Sequence, residues 1–348
     1  MIIHRSYHQK NWIILLLLSV LYLSCEIEDD HGTIEYVLTG DDLMVIKGES
    51  LGNYYTYEDF VVNEQSQVIY FVNCGGQSGM CEQHIIRSLN YETGESKVIY
   101  QSPDPNIMII LFDFIPGTNT LYFHATYYPA ENFIAINVNT LTSKVLSTGM
   151  WNTAVNGEYV FNNYEYDSHL IKKINLNGSE EILNTTGNIM KASQNTPEIL
   201  VQDPNGLEYF IYNYQTDVKT FTQQIEYYIS TFYTWYDDLF YLTEYPGYSI
   251  KNFKTDETIF TLPSSSLFIA NFNPLCLKVG YIEEKPVSKF SEYYQIQNQQ
   301  LIVKDLTSDE THLAVSLYND WINRVKILDD GNTIIYTSGD RFYKTTIE

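Results

Sequence analysis

One repeat constrains this sequence more than any other feature. A short apolar segment recurs along the 348 residues. It reads Val68-Ile69-Tyr70-Phe71, Thr120-Leu121-Tyr122-Phe123, Glu158-Tyr159-Val160-Phe161, Glu198-Ile199-Leu200-Val201, Asp238-Leu239-Phe240-Tyr241, Cys276-Leu277-Lys278-Val279 and Ile334-Ile335-Tyr336. With Ile69, Leu121, Tyr159, Ile199, Leu239, Leu277 and Ile335 as markers, the spacings are 52, 38, 40, 40, 38 and 58 residues. A second pattern follows each marker: a strand, a polar turn and another strand. Examples are Leu89-Asn90-Tyr91-Glu92-Thr93-Gly94, Val138-Asn139-Thr140-Leu141-Thr142-Ser143, Leu176-Asn177-Gly178-Ser179, Tyr214-Gln215-Thr216-Asp217, Phe253-Lys254-Thr255-Asp256 and Leu306-Thr307-Ser308-Asp309. No long stretch of 3.6-residue period follows residue 25. Tyrosine is abundant, 31 residues, and with Ile, Val, Thr and Phe it suits a pleated, half-buried surface. Short apolar runs between Asn, Asp, Gly, Thr and Pro read as many short strands.

Each unit of about 40 residues therefore reads as four strands, with tight turns between the first two and the last two. One such sheet cannot bury its own faces. Stacking neighbours around an axis buries both faces of every unit, and a closed ring leaves only short edges. The expected fold is all-β, a seven-bladed β-propeller over residues 33–348, with six or eight blades left open. A pair of packed sheets would not explain the period. The two long spacings hold the Cys74–Cys81 tip with Pro103-Asp104-Pro105, and an insertion from Glu283 to Asn298. The last unit, with strands near 322–328, 332–338 and 341–346, is one strand short. Either Ile34–Leu38 or Leu43–Ile46 is expected to complete it.

These units resemble the divergent blades of TolB-like and WD40-like propellers. Asp329-Asp330-Gly331-Asn332 before Thr333-Ile334-Ile335-Tyr336 is similar to the turn those repeats use between their first two strands. The Trp-Asp dipeptide of WD40 repeats is missing, and most units lack the Asp-Gly turn. The resemblance implies an architecture and no particular function.

Residues 1–24 read as a signal peptide. His4, Arg5, His8 and Lys10 precede an apolar run from Trp12 to Leu23, too short for the ~20 apolar residues of a spanning helix. Leu23-Ser24-Cys25 resembles the lipobox of bacterial lipoproteins, with Tyr22 standing where that family usually has Leu. The resemblance implies diacylation of Cys25 and cleavage before it. Stable anchoring takes more than one acyl chain, so outer-membrane lipid is an expected partner. Residues 25–32 form the lipidated cysteine and an acidic tether, Glu26-Ile27-Glu28-Asp29-Asp30. Such a run resembles the signal that sends some lipoproteins to the cell surface. The alternative is a periplasm-facing protein with a solvated tether. A formal charge of −23 repels nucleic acid, which is excluded as a partner.

Cys74 and Cys81 flank a Gly-rich tip, and an oxidising compartment permits a disulfide between them. Cys276 reads as a small buried hydrophobe in an apolar strand. His84, His124 and His169 fall beside the same kind of loop in successive units and read as isolated turn or surface histidines. Asp41-Asp42 and Asp237-Asp238 lack the alternating spacing of a calcium loop. No metal and no cofactor are expected. No nucleophile elbow, phosphate loop or dinucleotide fingerprint appears.

In a propeller, the loops from strand two to strand three and those between blades share one face. Here that face gathers aromatic residues: Tyr127 and Tyr128, Tyr164 and Tyr166, Tyr245 and Tyr248, with Trp151, Tyr227, Tyr228, Phe268 and Trp321 near the starts of innermost strands. Tyr127, Tyr128, Trp151, Tyr228, Tyr245, Tyr248 and Trp321 are the expected ligand-binding residues, since Tyr and Trp dominate interfaces and stack on sugars. The expected function is a lipid-anchored binding or scaffold protein whose ligand is a glycan, a peptide or a partner protein. The alternative is a propeller-type hydrolase or lyase with an acidic site in the channel mouth.

Overall fold

Among the described residues, the repeated apolar segments fall on, or lead into, the second strands of seven antiparallel sheets. The structure, a computed structural model, describes residues 34–38, 43–54, 60–75, 83–127, 130–148, 153–163, 169–194, 196–206, 208–224, 234–236, 239–244, 249–291, 294–318 and 320–347. Within the unit Ile34–Glu348, sheet 1 is Val61–Asn63, Val68–Gly75, Gln83–Asn90 and Ser96–Gln101, each strand paired with the next. The same meander builds sheet 2 (108–148), sheet 3 (153–186), sheet 4 (188–224), sheet 5 (234–261), sheet 6 (266–318) and sheet 7 (322–346). Among the described residues no helix is long and apolar enough to cross a membrane.

Side-chain alternation along each strand sends successive residues to opposite neighbours. In sheet 2, Phe123 packs towards Ile86 of sheet 1, while Tyr122 packs towards Val160 of sheet 3. Phe161 meets Phe210 between sheets 3 and 4, Phe260 meets Tyr281 between 5 and 6, and Val303 shares a cluster with Tyr336 between 6 and 7. Sheets 4 and 5 are joined by Gln223 Nε2 donating to Asp256 Oδ1 at 2.7 Å and by Lys254 Nζ with Glu198 Oε2 at 3.3 Å. The order then returns to its start. Phe342 and Ile335 of sheet 7 pack with Phe71 and Ile69 of sheet 1. Each fully buried ring contributes about 1.5–3 kcal/mol. First strands of successive sheets lie beside one another, as between sheets 1 and 2, 3 and 4, and 6 and 7, so they form the inner edge. These small stacked sheets make a β-propeller-like fold.

The N-terminal segment completes sheet 7, but through different residues from those expected. Glu49–Asn53 pairs with Arg341–Thr346, in the register Glu49↔Lys344, Ser50↔Tyr343 and Gly52↔Phe342. Ile34–Leu38 and Leu43–Lys47 instead form a hairpin on the outer edge of sheet 6, where Ile46 faces Ser316. The apolar character of those two strands suits either edge. The choice is made by Gly48, which lets the chain pass from one sheet to the next. Its N–H donates to Tyr336 Oη at 3.1 Å, and a Cβ there would sit 2.3 Å from the Lys344 carbonyl oxygen. Leu51 then seals the cluster between sheets 7 and 1.

Two sequence expectations change in detail. Cys276 lies in the turn before Lys278–Ser291, not in a strand, because Leu277 takes a positive φ of 51°. It is half-buried against the cluster of sheets 6 and 7. The Glu283–Asn298 insertion is an extended hairpin, Lys278–Ser291 with Tyr294–Asp305.

The polar turns after the third strands share one device. Asn90, Asn137, Asn175, Asn213, Asn252 and Asp305 each end a third strand. Each side-chain oxygen accepts the backbone N–H two residues on, from Glu92 (2.9 Å), Asn139 (3.1 Å), Asn177 (3.0 Å), Gln215 (3.0 Å), Lys254 (2.9 Å) and Thr307 (2.8 Å). These are Asx turns. Hydrogen bonds from the Thr307 hydroxyl and then from the Ser308 and Thr307 N–H groups hold the Asp305 carboxyl down at about 2.

Truncating the chain to begin at Gly48 is expected to keep cooperative unfolding, whereas beginning at Tyr54 is expected to abolish it. Gly48→Val should cost about 2–3 kcal/mol, as overpacking does, in urea unfolding. Leu141 is exposed and strained at a φ of 57°. Leu141→Gly is expected to stabilise by up to about 1 kcal/mol.

Candidate functional site

The two ends of the sheets differ in how their polar groups are used. One end carries the turns between strands one and two and between strands three and four. There the two turns of one sheet are tied together: the N–H of Tyr91 donates to Gln67 O (3.0 Å), Val138 to Asn119 O (3.0 Å), Tyr214 to Pro197 O (2.9 Å) and Leu306 to Leu277 O (2.9 Å). With the Asx turns, this makes a hydrogen-bonded, rigid end.

The opposite end carries the connections from strand two to three and from sheet to sheet. Buried polar atoms without a hydrogen-bond partner gather there. Of the eight such atoms among the described residues, six lie there: Thr153 Oγ1, Asn162 Oδ1, Asn163 Oδ1, Thr185 Oγ1, Gln223 Oε1 and Ser338 Oγ, each within two residues of a strand terminus on that side; of the other two, Tyr122 stands near the tied end of its strand and Gln300 in mid-strand. Sheet 3 contributes Thr153, Asn162, Asn163 and Thr185, all under 9% exposed. Buried polar groups are normally paired, so a concentration of unpaired ones at one end marks where local stability has been given up.

Trp321 projects from this end with 56% of its surface exposed. Its connection, between sheets 6 and 7, is held from below. The N–H of Ile322 donates to Gln299 Oε1 at 2.9 Å, and Gln299 Nε2 donates to Glu284 Oε1 at 3.2 Å. Lys47 pairs with Asp320 at 3.6 Å. The long hairpin of sheet 6 thus braces an exposed indole. Beside it, a cavity of about 230 Å³ runs along the inner edges of sheets 6, 7 and 1. Phe60, Phe268, Ala270, Ile322, Asn323 and Arg324 are among its lining residues. Phe268 lies within the strand Ser266–Asn273, not in a loop, and is 37% exposed. Met108 and Ile110 on the inner strand of sheet 2 are likewise exposed.

Of the expected ligand-binding residues, the structure places Trp321 in full and Tyr127 by its backbone, at the end of Thr120–Tyr127. Tyr128, Trp151, Tyr228, Tyr245 and Tyr248 lie outside the described residues, as do Cys25, Cys81, Tyr164, Tyr166, Tyr227, Asp41, Asp42, Asp237 and Asp238. Cys74 is described by its backbone, opposite His84. Sequence reasoning missed the cavity. Its only signal was Asn323-Arg324 on an innermost strand, where polar side chains have a channel to face.

The three histidines do not converge, and among the described residues no cluster of three or more His, Cys, Asp or Glu side chains could hold a metal. They are neither loop nor surface groups throughout. His84 Nδ1 accepts the Ile109 N–H at 3.3 Å, joining sheets 1 and 2. His124 is wedged between Phe112 and Phe133, with ring centroids 5.6 and 4.9 Å away. His169 Nδ1 lies 3.4 Å from Asn188 Oδ1. Burial holds the His84 and His124 imidazoles below the ordinary histidine pKa. Unfolded histidine titrates near ~6.5. Above that value both states are neutral and stability is full. As pH falls towards the depressed folded values, the unfolded chain takes up protons first and stability is lost. The melting temperature is expected to fall from pH 7.5 to 5.5, and to fall less in the His84→Gln/His124→Leu double variant.

No protein-family model and no curated protein sequence matches this chain. Among solved structures, a chain in the crystal structure of a mitotic checkpoint complex is similar at TM-score 0.54 and 9% identity, over 92% of this chain and 94% of that one. A chain in a nidogen/laminin complex overlaps over 48% of this chain and 62% of its own, at TM-score 0.36 and 8% identity, too partial a likeness to add to the argument. The first likeness supports a β-propeller-like fold, at an identity that speaks to the fold alone.

Proposed function

We propose that the seven sheets are the blades of a seven-bladed propeller, anchored through acylated Cys25 outside the cytoplasm at the outer membrane, that serves as a binding or scaffold module. Its recognition surface is the end of the ring that carries the inter-blade connections, and its ligand is a glycan, a peptide or a partner protein. The observation that carries this reading is the partition of hydrogen bonds. One end is tied turn to turn in four sheets, while the other holds six of the eight unpaired buried polar atoms among the described residues and the exposed Trp321. A protein that needed only to be stable would gain nothing from that asymmetry. A rigid scaffold presenting adaptable connections is the common arrangement of binding proteins.

The acidic balance, 43 Asp and Glu against 20 Lys and Arg, suits a soluble domain held at a membrane surface by lipid. The described lining of the cavity, Phe60, Phe268 and Asn323 among it, offers groups for contact and orientation.

Glycan and surface-protein arrays probed with the intact domain should yield a retained ligand. Trp321→Ala, alone and with Trp151→Ala, is expected to weaken that binding at least tenfold with the melting temperature unchanged. Arrays on which the wild-type domain finds nothing would overturn the reading. Separately, Cys25→Ala is expected to move the protein from the detergent phase to the aqueous phase in a cloud-point partition. Equal partition of variant and wild type would remove the lipid anchor.

A further inference from the structure

We infer that the strand Ile34–Leu38 is an interaction edge, and that its partner is the same strand of a second copy of this chain, paired antiparallel about Tyr36. This goes beyond the recognition reading above and does not depend on what the loop end of the sheets binds.

The argument begins with how the other edges are finished. A free strand edge is a template for another chain, and proteins blunt it with bulges, charges or shortness. The fourth strands of all seven sheets are treated in this way. Each meets its third strand through a register shift, as at Phe133/Ile134 in sheet 2 and Ser50/Gly52 in sheet 7. Charge adds to the bulges: Lys97, Lys144, Glu180, Glu181, Lys219 and Glu49 stand on these strands, and Thr258–Thr261 is only four residues long.

The N-terminal hairpin departs from that pattern. Its ladder runs from Ile34↔Lys47 to Leu38↔Leu43 with no shift. Its outer strand, Ile-Glu-Tyr-Val-Leu, contains no Lys, Gly or Pro, and four of its five residues are apolar or aromatic. Among the described residues no strand covers its far edge. The hairpin is also spare to the ring. Glu49–Asn53 completes sheet 7, whereas the hairpin is attached to sheet 6 through Ile46↔Ser316.

Symmetry and charge choose the occupant. Antiparallel pairing centred on Tyr36 presents the same surface from both copies. It sets Ile34 against Leu38, Glu35 against Val37 and Tyr36 against itself. The one charge of the strand then meets an apolar residue, and like charges are never directly opposed. The acidic run Glu26-Ile27-Glu28-Asp29-Asp30 leads into the strand at its Ile34 end. Parallel pairing would bring the two runs together, and antiparallel pairing sends them to opposite ends. A five-residue strand pair is small beside the roughly 1,000 Å² of a stable interface, so the dimer forms in a concentration-dependent equilibrium.

The test is sedimentation equilibrium of the whole chain carrying Cys25→Ala, over a concentration series, with cysteine cross-linking to read the register. The chain with its strand intact is expected to show monomer and dimer. Val37→Glu places a carboxylate opposite Glu35 at two positions in the dimer and should weaken association at least tenfold. Adding Glu35→Lys to Val37→Glu should restore it. Tyr36→Cys should oxidise to a covalent dimer, while Ile34→Cys should do so only when mixed with Leu38→Cys. Thermal melts check that each variant is folded. A chain that stays monomeric throughout, an unchanged equilibrium in Val37→Glu, or self-cross-linking of Ile34→Cys equal to that of Tyr36→Cys would overturn the inference. A monomer that captures a different protein through this strand would overturn it in favour of an unlike partner. These outcomes are separate from the broader reading, which stands or falls with the effect of Trp321→Ala on the ligand found by array.

Discussion

Every sheet in this protein depends on its neighbours to cover two faces. A meander of four short strands has an apolar surface on both sides, and no single sheet can shelter either. Phe123 and Tyr122 are adjacent in sequence, fully buried, and committed to different neighbours. That arrangement works only if the stacking continues until the last sheet covers the first. The contact of Phe342 with Phe71, centroids 4.9 Å apart, is where it does so. The cost of holding the two ends of the chain together is met by pairing Glu49–Asn53 with Arg341–Thr346.

The repeat was plain in the sequence because burial enforces it. Ile69, Leu121, Ile199 and Ile335 are all 0% exposed, and each sits on a second strand flanked on both sides by other sheets. Such positions tolerate only apolar residues, so the period survives. The turns were also readable as polar interruptions. Their common chemistry was harder to see, because the Asx residue is the last of the strand and looks like part of it. The closing strand was missed for a physical reason. Glu49-Ser50-Leu51-Gly52-Asn53 has poor strand propensity, and it is held by its partner strand and by the burial of Leu51. Ile34–Leu38 and Leu43–Lys47 have the stronger pattern and went to an edge of sheet 6.

The proposed recognition surface was less legible than the scaffold. Aromatic residues could be assigned to one end by topology, and Trp321 stands there exposed. The cavity could not be assigned, since it is shared by three sheets and by residues as distant in the chain as Phe60 and Arg324. Local sequence carries no record of such a meeting. The concentration of unpaired buried polar atoms opposite the hydrogen-bonded turns is likewise a property of the assembled sheets.

Native-state hydrogen exchange of the two terminal strands tests the central claim most directly. If the ring is closed by Glu49–Asn53, the paired amides of 49–53 and 341–346 should exchange at the same slow, global rate as those of Val68–Gly75. Fast exchange across 49–53, with 68–75 still protected, would show that the stacking does not need the ends to be joined.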